Sequence, residues 1–96
     1  MTHAAIYACD EGIQAVIHVH HKALWNKLLN NIPTTSSNVP YGTPEMAYEI
    51  KRLWKNSDLP TQKILAMAGH DEGIIAFGKN LEEAGNLLLT ELEALP

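Results

Sequence analysis

Histidine supplies the pattern in this chain with the most evident chemistry. In the run Ala15-Val16-Ile17-His18-Val19-His20 two imidazoles stand two residues apart among branched apolar residues. Gln14 to His20 reads as a strand, because Val and Ile dominate it and Gly12 bounds it upstream. Alternation puts Val16, His18 and His20 on one face and Ala15, Ile17 and Val19 on the other. Residues two apart on a strand are separated by about 6.6–7 Å at Cα. That spacing lets two imidazoles converge on one cation at about 2.0–2.1 Å each. A His-x-His pair can also sit solvated at a strand end. The apolar neighbours favour an interior strand, and buried imidazoles there need partners, which one metal ion supplies to both.

His70 is the third candidate. It follows the apolar run Ile64-Leu65-Ala66-Met67-Ala68 at a turn framed by Gly69 and Gly73, where functional side chains on sheets often lie. Alone it is a turn histidine. With His18 and His20 it completes a three-imidazole set, and three histidines with an open fourth position form a catalytic zinc arrangement, whereas a closed structural site takes four protein ligands. Asp71 and Glu72 flank His70 as outer acceptors, as a proton carrier, or as two solvated acids on a turn. His3, four residues before Tyr7, reads as a surface or partly buried helical residue, and His21 either faces away from the pair or starts a helix. Cys9 reads as a small core residue, and Trp25 and Trp54 as packing residues on apolar stripes. Tyr41, between Pro40 and Gly42, is a turn residue or lines a cleft. The chain has no Gly-rich phosphate loop and no Gly-x-Ser-x-Gly elbow, so nucleophilic serine or cysteine chemistry has no support.

The elements that must position these residues follow from periodicity. Residues 2–10 read as a short helix without a clear start, ended by Asp10-Glu11-Gly12. From His21 to about Asn31, Leu24, Trp25, Leu28, Leu29 and Ile32 recur at helical spacing. Thr34 to Asn38 reads as a polar loop. Thr43 as N-cap, Pro44 in the first turn and Glu45 beside it open the best-marked helix, whose stripe is Met46, Ile50, Leu53 and Trp54 and whose end is Asn56-Ser57-Asp58 with Pro60. Ile64–Ala68 and Ile74–Phe77 read as strands covered on both faces and paired as a hairpin. Asn80 with Glu83 forms a capping box for a last helix with stripe Leu81, Ala84, Leu88, Leu92 and Leu95, and Gly85 within it suggests close approach of another backbone.

Ninety-six residues allow one small domain, 1–96, burying only about 60–65 % of its unfolded surface. A chain 46 % hydrophobic and 19 % charged is that of a folded domain and not of a disordered tail. Seven Lys+Arg against eleven Asp+Glu give a net charge of −4 without a basic patch, so no nucleic-acid partner is expected. The single cysteine cannot form an intrachain disulfide, and the start shows no basic and apolar leader. Apolar runs of about six residues fall far short of the roughly 20 that span a bilayer, so no membrane partner is expected. These features predict a reducing, cytoplasmic setting.

Three blocks in order resemble the class II aldolase/adducin family. Ala15-Val16-Ile17-His18-Val19-His20 is similar to its metal-binding strand. Tyr41-Gly42-Thr43-Pro44-Glu45-Met46-Ala47 is similar to its turn into the next helix. Ile64 to His70, followed by Gly73-Ile74-Ile75-Ala76-Phe77-Gly78-Lys79-Asn80-Leu81-Glu82-Glu83-Ala84, resembles its strand, third histidine and closing helix. The resemblance covers the C-terminal half of that family's domain. It implies an α/β fold, with helices packed on a small, mostly antiparallel sheet, as part of a three-layer arrangement. It implies His18, His20 and His70 as ligands of Zn2+ or another divalent metal. It implies a lyase acting on a sugar phosphate through a metal-stabilised enediolate, by aldol cleavage, epimerisation or dehydration.

Two departures bear on that reading. The family's phosphate-holding loops and its Ser-Ser-Glu motif, whose Glu is the acid/base, belong to the half that is not matched. His3 to Tyr7 looks like the His-x-x-x-Tyr that follows that Glu, which would then precede Met1. Where the family commonly has His-Gly, this chain has His70-Asp71-Glu72-Gly73, which makes Glu72 a candidate replacement carboxylate. The rival reading is a catalytically incomplete metal-binding or adducin-like interaction module. Exposed sheet surface and open strand edges predict a homo-oligomer in either case.

Overall fold

The computed structural model describes residues 2–95. Its elements are α1 (Thr2–Tyr7), β1 (Ala15–His20), α2 (Lys22–Leu28), β2 (Thr34–Thr35), α3 (Pro44–Asn56), α4 (Leu59–Gln62), β3 (Ile64–Met67), β4 (Gly73–Gly78) and α5 (Leu81–Glu93). The class is α/β with one mixed four-stranded sheet in the order β1-β4-β3-β2. β1 runs antiparallel to β4, from Ala15 opposite Gly78 to His20 opposite Gly73. β3 is antiparallel to β4, with Leu65 opposite Ile75. β2 is parallel to β3 through Thr34 and Thr35.

Side-chain alternation divides the core in two. On one face Leu65, Met67, Ile75 and Phe77 pack with Ile6 of α1, Met46, Ile50 and Leu53 of α3, and Leu59 of α4. On the other, Ile64, Ile74 and Ala76 pack with Leu24 and Leu28 of α2 and Ala84 and Leu88 of α5. β3 and β4 are buried along their whole length, as the continuous apolar runs predict. Full burial of each large aliphatic or aromatic side chain contributes roughly 1.5–3 kcal/mol, so this double-sided sheet is the main source of stability. The sheet is thus the middle of three layers, and the face that carries Val16, His18 and His20 is the one under α1 and α3.

Several details depart from the sequence reading. Thr34-Thr35 is a strand and not part of a polar loop. It is too short to show a period, and it is fixed by the Ala66 N–H donating to the Pro33 carbonyl at 3.0 Å. α4 was hidden because Pro60 marks the end of the preceding helix in sequence, yet stands in the first turn of a new one. Thr43 precedes α3 as expected, but its hydroxyl donates to the Pro40 carbonyl at 2.8 Å instead of capping the helix. At the start of α5, Asn80 Oδ1 accepts from the Glu83 N–H at 2.8 Å, whereas the Glu83 carboxylate accepts from Lys79 N and Lys63 Nζ. Gly85 meets no backbone: a Cβ there would reach only Ile17 Cδ1, at 3.9 Å, an ordinary contact. The expected close approach lies instead at Gly69, where a Cβ would overlap the Val39 carbonyl oxygen. That contact seats the 36–42 loop against the end of β3. Gly69→Ala is therefore expected to lower unfolding stability by about 1–3 kcal/mol, the usual cost of overpacking, read as a reduced urea midpoint with unchanged slope.

Candidate metal centre

The register of the sheet brings the histidines together. His18 and His20 project from the end of β1, and β3 stops three residues before His70. The turn closes with the His70 N–H donating to the Met67 carbonyl at 3.2 Å and the Gly73 N–H to the His70 carbonyl at 2.9 Å. Gly73, directly opposite His20, leaves room for the third ring: a Cβ at Gly73 would lie 2.6 Å from His70 Cδ2. A larger residue at this register position would displace the imidazole. Glu72, at φ +65°, turns the chain back, and its carbonyl accepts from the His21 N–H at 3.1 Å, tying the end of β1 to the turn.

Each of His18, His20 and His70 offers one ring nitrogen, and these three nitrogens lie within 4.8 Å of one another. Ring centres are 4.9 Å apart for His18–His20, 5.3 Å for His18–His70 and 4.7 Å for His20–His70. Two imidazoles bound to one tetrahedral cation at about 2.0–2.1 Å have ring centres about 5.2 Å apart. All three pairs are close to that spacing, so the residues fit a divalent metal with no rearrangement of the sheet.

The donor chemistry agrees. His18 Nε2 is buried and has no hydrogen-bond partner among the described residues, a state that costs stability unless something fills it. His20 Nδ1 lies 3.2 Å from the Asp71 carbonyl oxygen. A carbonyl only accepts, so this bond requires Nδ1–H and leaves the Nε2 lone pair of His20 facing the centre. That Nε2 is 3.2 Å from His70 Nε2, which then donates to it when no cation is bound. Burial, followed by the neighbouring His20, His70 and His3, pushes the His18 pKa down from 6.5 to about 4. Burial and His20 likewise lower that of His70, against an opposing pull from Asp71. At neutral pH both rings are therefore in the uncharged form that binds metals.

Two residues outside this set stand beside it. Tyr41, 36 % exposed, has its ring centre 4.7 Å from both His18 and His70, stacked at 21° on the latter. The Thr2 hydroxyl helps hold the loop that carries it by accepting the Gly42 N–H at 3.3 Å. His3 has its ring 6.2 Å from that of His18, edge to face, and its buried Nε2 is also unpartnered. The sequence offered only its spacing before Tyr7, which does not point at the strand. Asp71 contributes its carbonyl, while neither its carboxylate nor that of Glu72 belongs to the converging group. His21 starts α2, accepting the Leu24 N–H on Nδ1 at 3.1 Å. Cys9 donates to the Ala5 carbonyl at 3.3 Å, and burial pushes its thiol pKa up, as befits an inert packing residue. Trp25 donates to the Met67 carbonyl at 3.1 Å and Trp54 packs on Phe77. No helix among the described residues is long and apolar enough to cross a membrane.

The pH dependence of the metal-free protein follows from His18. Its folded pKa lies below its unfolded one, so the unfolded chain binds more protons in between. Stability should be complete above pH 6.5 and fall as pH drops from there through about 4. In chelator, urea unfolding at stepped pH should show this slope, and His18→Gln should reduce it.

No family model matches the chain, and no curated protein matches its sequence.

Proposed function

We propose that this protein holds a divalent cation, zinc for preference, on His18, His20 and His70 and serves as the metal-bearing part of a class II aldolase-type lyase for sugar phosphates. The observation that carries the reading is the convergence of three ring nitrogens within 4.8 Å, on residues of which one, His18, has its Nε2 buried without a partner. Two nitrogens and no thiolate from β1, with a third from a glycine-framed turn, match a zinc site with one position left for a substrate oxygen. The ordered resemblance of the three sequence blocks supplies the reaction class and the sugar-phosphate substrate. A cation in this place supplies Lewis acidity toward a ketose carbonyl and its neighbouring hydroxyl.

The chain's own residues do the rest of the positioning. The Asp71 carbonyl holds the His20 ring in the tautomer that presents Nε2. Gly73 leaves space for His70. Tyr41 packs its ring against both His18 and His70. Low basicity at His18 preserves its lone pair through the neutral pH range.

A second reading is favoured by one observation. No carboxylate among the described residues belongs to the imidazole group, so the residues at hand hold a cation but offer no base beside it. On that reading the protein is a catalytically incomplete metal-binding or adducin-like interaction module. The homo-oligomer anticipated from open strand edges accompanies either reading.

Metal analysis and a cleavage assay on a ketose 1-phosphate separate them. About one zinc per chain is expected, and zinc at 100 times its dissociation constant should add about 2.7 kcal/mol of stability, reversed by chelator. His18→Ala, His20→Ala and His70→Ala should each weaken zinc binding by more than the 10–100-fold, roughly, that loss of an outer hydrogen-bond partner costs. Zinc with turnover supports the lyase, zinc without turnover supports the module, and retention of zinc in all three variants overturns both.

A further inference from the structure

Among the described residues two imidazole nitrogens are buried without partners, and only one of them belongs to a residue of the converging group. His18 Nε2 is accounted for by a cation. His3 Nε2 is not: its ring centre lies 6.2 Å from that of His18, beyond the 4.7–5.3 Å separations within the triad. Its donor atom is absent from the group within 4.8 Å. A buried ring nitrogen needs a hydrogen-bond partner, and none of the described residues provides one.

We propose that His3 is a ligand-recognition residue, hydrogen-bonding through Nε2 to an oxygen of the molecule that takes the open side of the centre. This inference rests on the metal-centre reading above. The geometry admits it. An oxygen in the fourth tetrahedral position, about 2.0 Å from the cation, lies about 4.3 Å from the His18 ring centre. A hydrogen bond of about 2.8 Å from His3 Nε2 puts the same oxygen about 4 Å from the His3 ring centre. Rings 6.2 Å apart share such a point, because their separation is smaller than those two distances combined. The position of His3 is also built. Thr2, its neighbour on α1, is buried and accepts the Gly42 N–H, joining α1 to the loop that carries Tyr41. His3 and Tyr41 thus both approach His18.

The ligand class follows from the partners. One Lewis-acidic position and an adjacent imidazole, which can donate to an oxyanion or accept from a hydroxyl, suit a molecule with two neighbouring oxygens. An α-hydroxycarbonyl or a hydroxamate has that form.

The test uses the full chain loaded with Co2+, whose visible spectrum reports the centre without turnover, and acetohydroxamate as the probe. His3→Phe keeps a flat ring in the same space and removes the hydrogen bond, while His3→Gln keeps a donor and an acceptor. His3→Phe should leave cobalt affinity within about twofold and the probe-free spectrum unchanged, yet weaken acetohydroxamate binding about tenfold, the effect of one lost hydrogen bond. His3→Gln should stay within about threefold of the original affinity. Equal probe affinity in His3→Phe and the unaltered chain overturns the inference. So does a loss of cobalt binding in His3→Phe comparable to that in His18→Ala, which would make His3 a direct ligand. Failure of the unaltered chain to take up cobalt removes the metal reading itself, and is recognised because it precedes any comparison of variants.

Discussion

The pairing of β1 with β4 is the constraint on which the site depends. It is set by hydrophobic burial: Ile74 and Ala76 must face α2 and α5, and Ile75 and Phe77 must face α1 and α3. With that alternation fixed, a slip of one residue would exchange the two faces of a strand. The register therefore places His20 opposite Gly73 and His18 opposite Ile75. Two imidazoles are delivered to the α1–α3 side at the strand end, where the β3–β4 turn brings the third. Packing far from the centre thus decides where its donors lie.

The cost of that arrangement is electrostatic. Three imidazoles with ring centres about 5 Å apart cannot all be protonated without mutual repulsion, and burial disfavours the charged form further. The fold responds by keeping His18 and His70 neutral. Neutral rings still need partners. His20 finds one in the Asp71 carbonyl and His70 one in His20, but His18 Nε2 finds none. The fold therefore carries an unmet polar demand at His18, and a divalent cation taken up there would couple its binding to folding stability.

How much of this was legible in the sequence depends on range. The His18–His20 pair was readable because strand alternation is local, and the buried strands because apolar runs are. His70 could be assigned to a turn, but its meeting with the pair needed the β1–β4 register, which no local pattern carries. β2 escaped because two threonines show no period, and α4 because Pro60 reads as a stop before it reads as a start. Gly85 suggested close packing from residue type alone, whereas the close approaches fall at Gly69, Gly73 and Gly78, where the 36–42 loop, the His70 ring and the Glu83 side chain press on the backbone. Tyr41 reads as a turn or cleft residue and is found with its ring against His18 and His70. His3 reads as a surface or partly buried helical residue and is the latter, but its nearness to His18 joins residues distant in sequence.

The same range argument explains why the centre is asymmetric in support. His20 is oriented by main chain from the turn that also carries His70, so disturbing residues 69–73 moves two ligands together. His18 is held by the sheet and flanked by His3 and Tyr41 from α1 and the 36–42 loop. Those two flanks are joined to each other through Thr2 and Gly42, and the loop is seated on β3 through Gly69. A change in the loop therefore alters the surroundings of His18 and, through the stacked Tyr41 ring, those of His70. The His18 side of the group is thus supported by α1 and the 36–42 loop, and the His20 side by the β3–β4 turn, so the two sides answer to different parts of the fold.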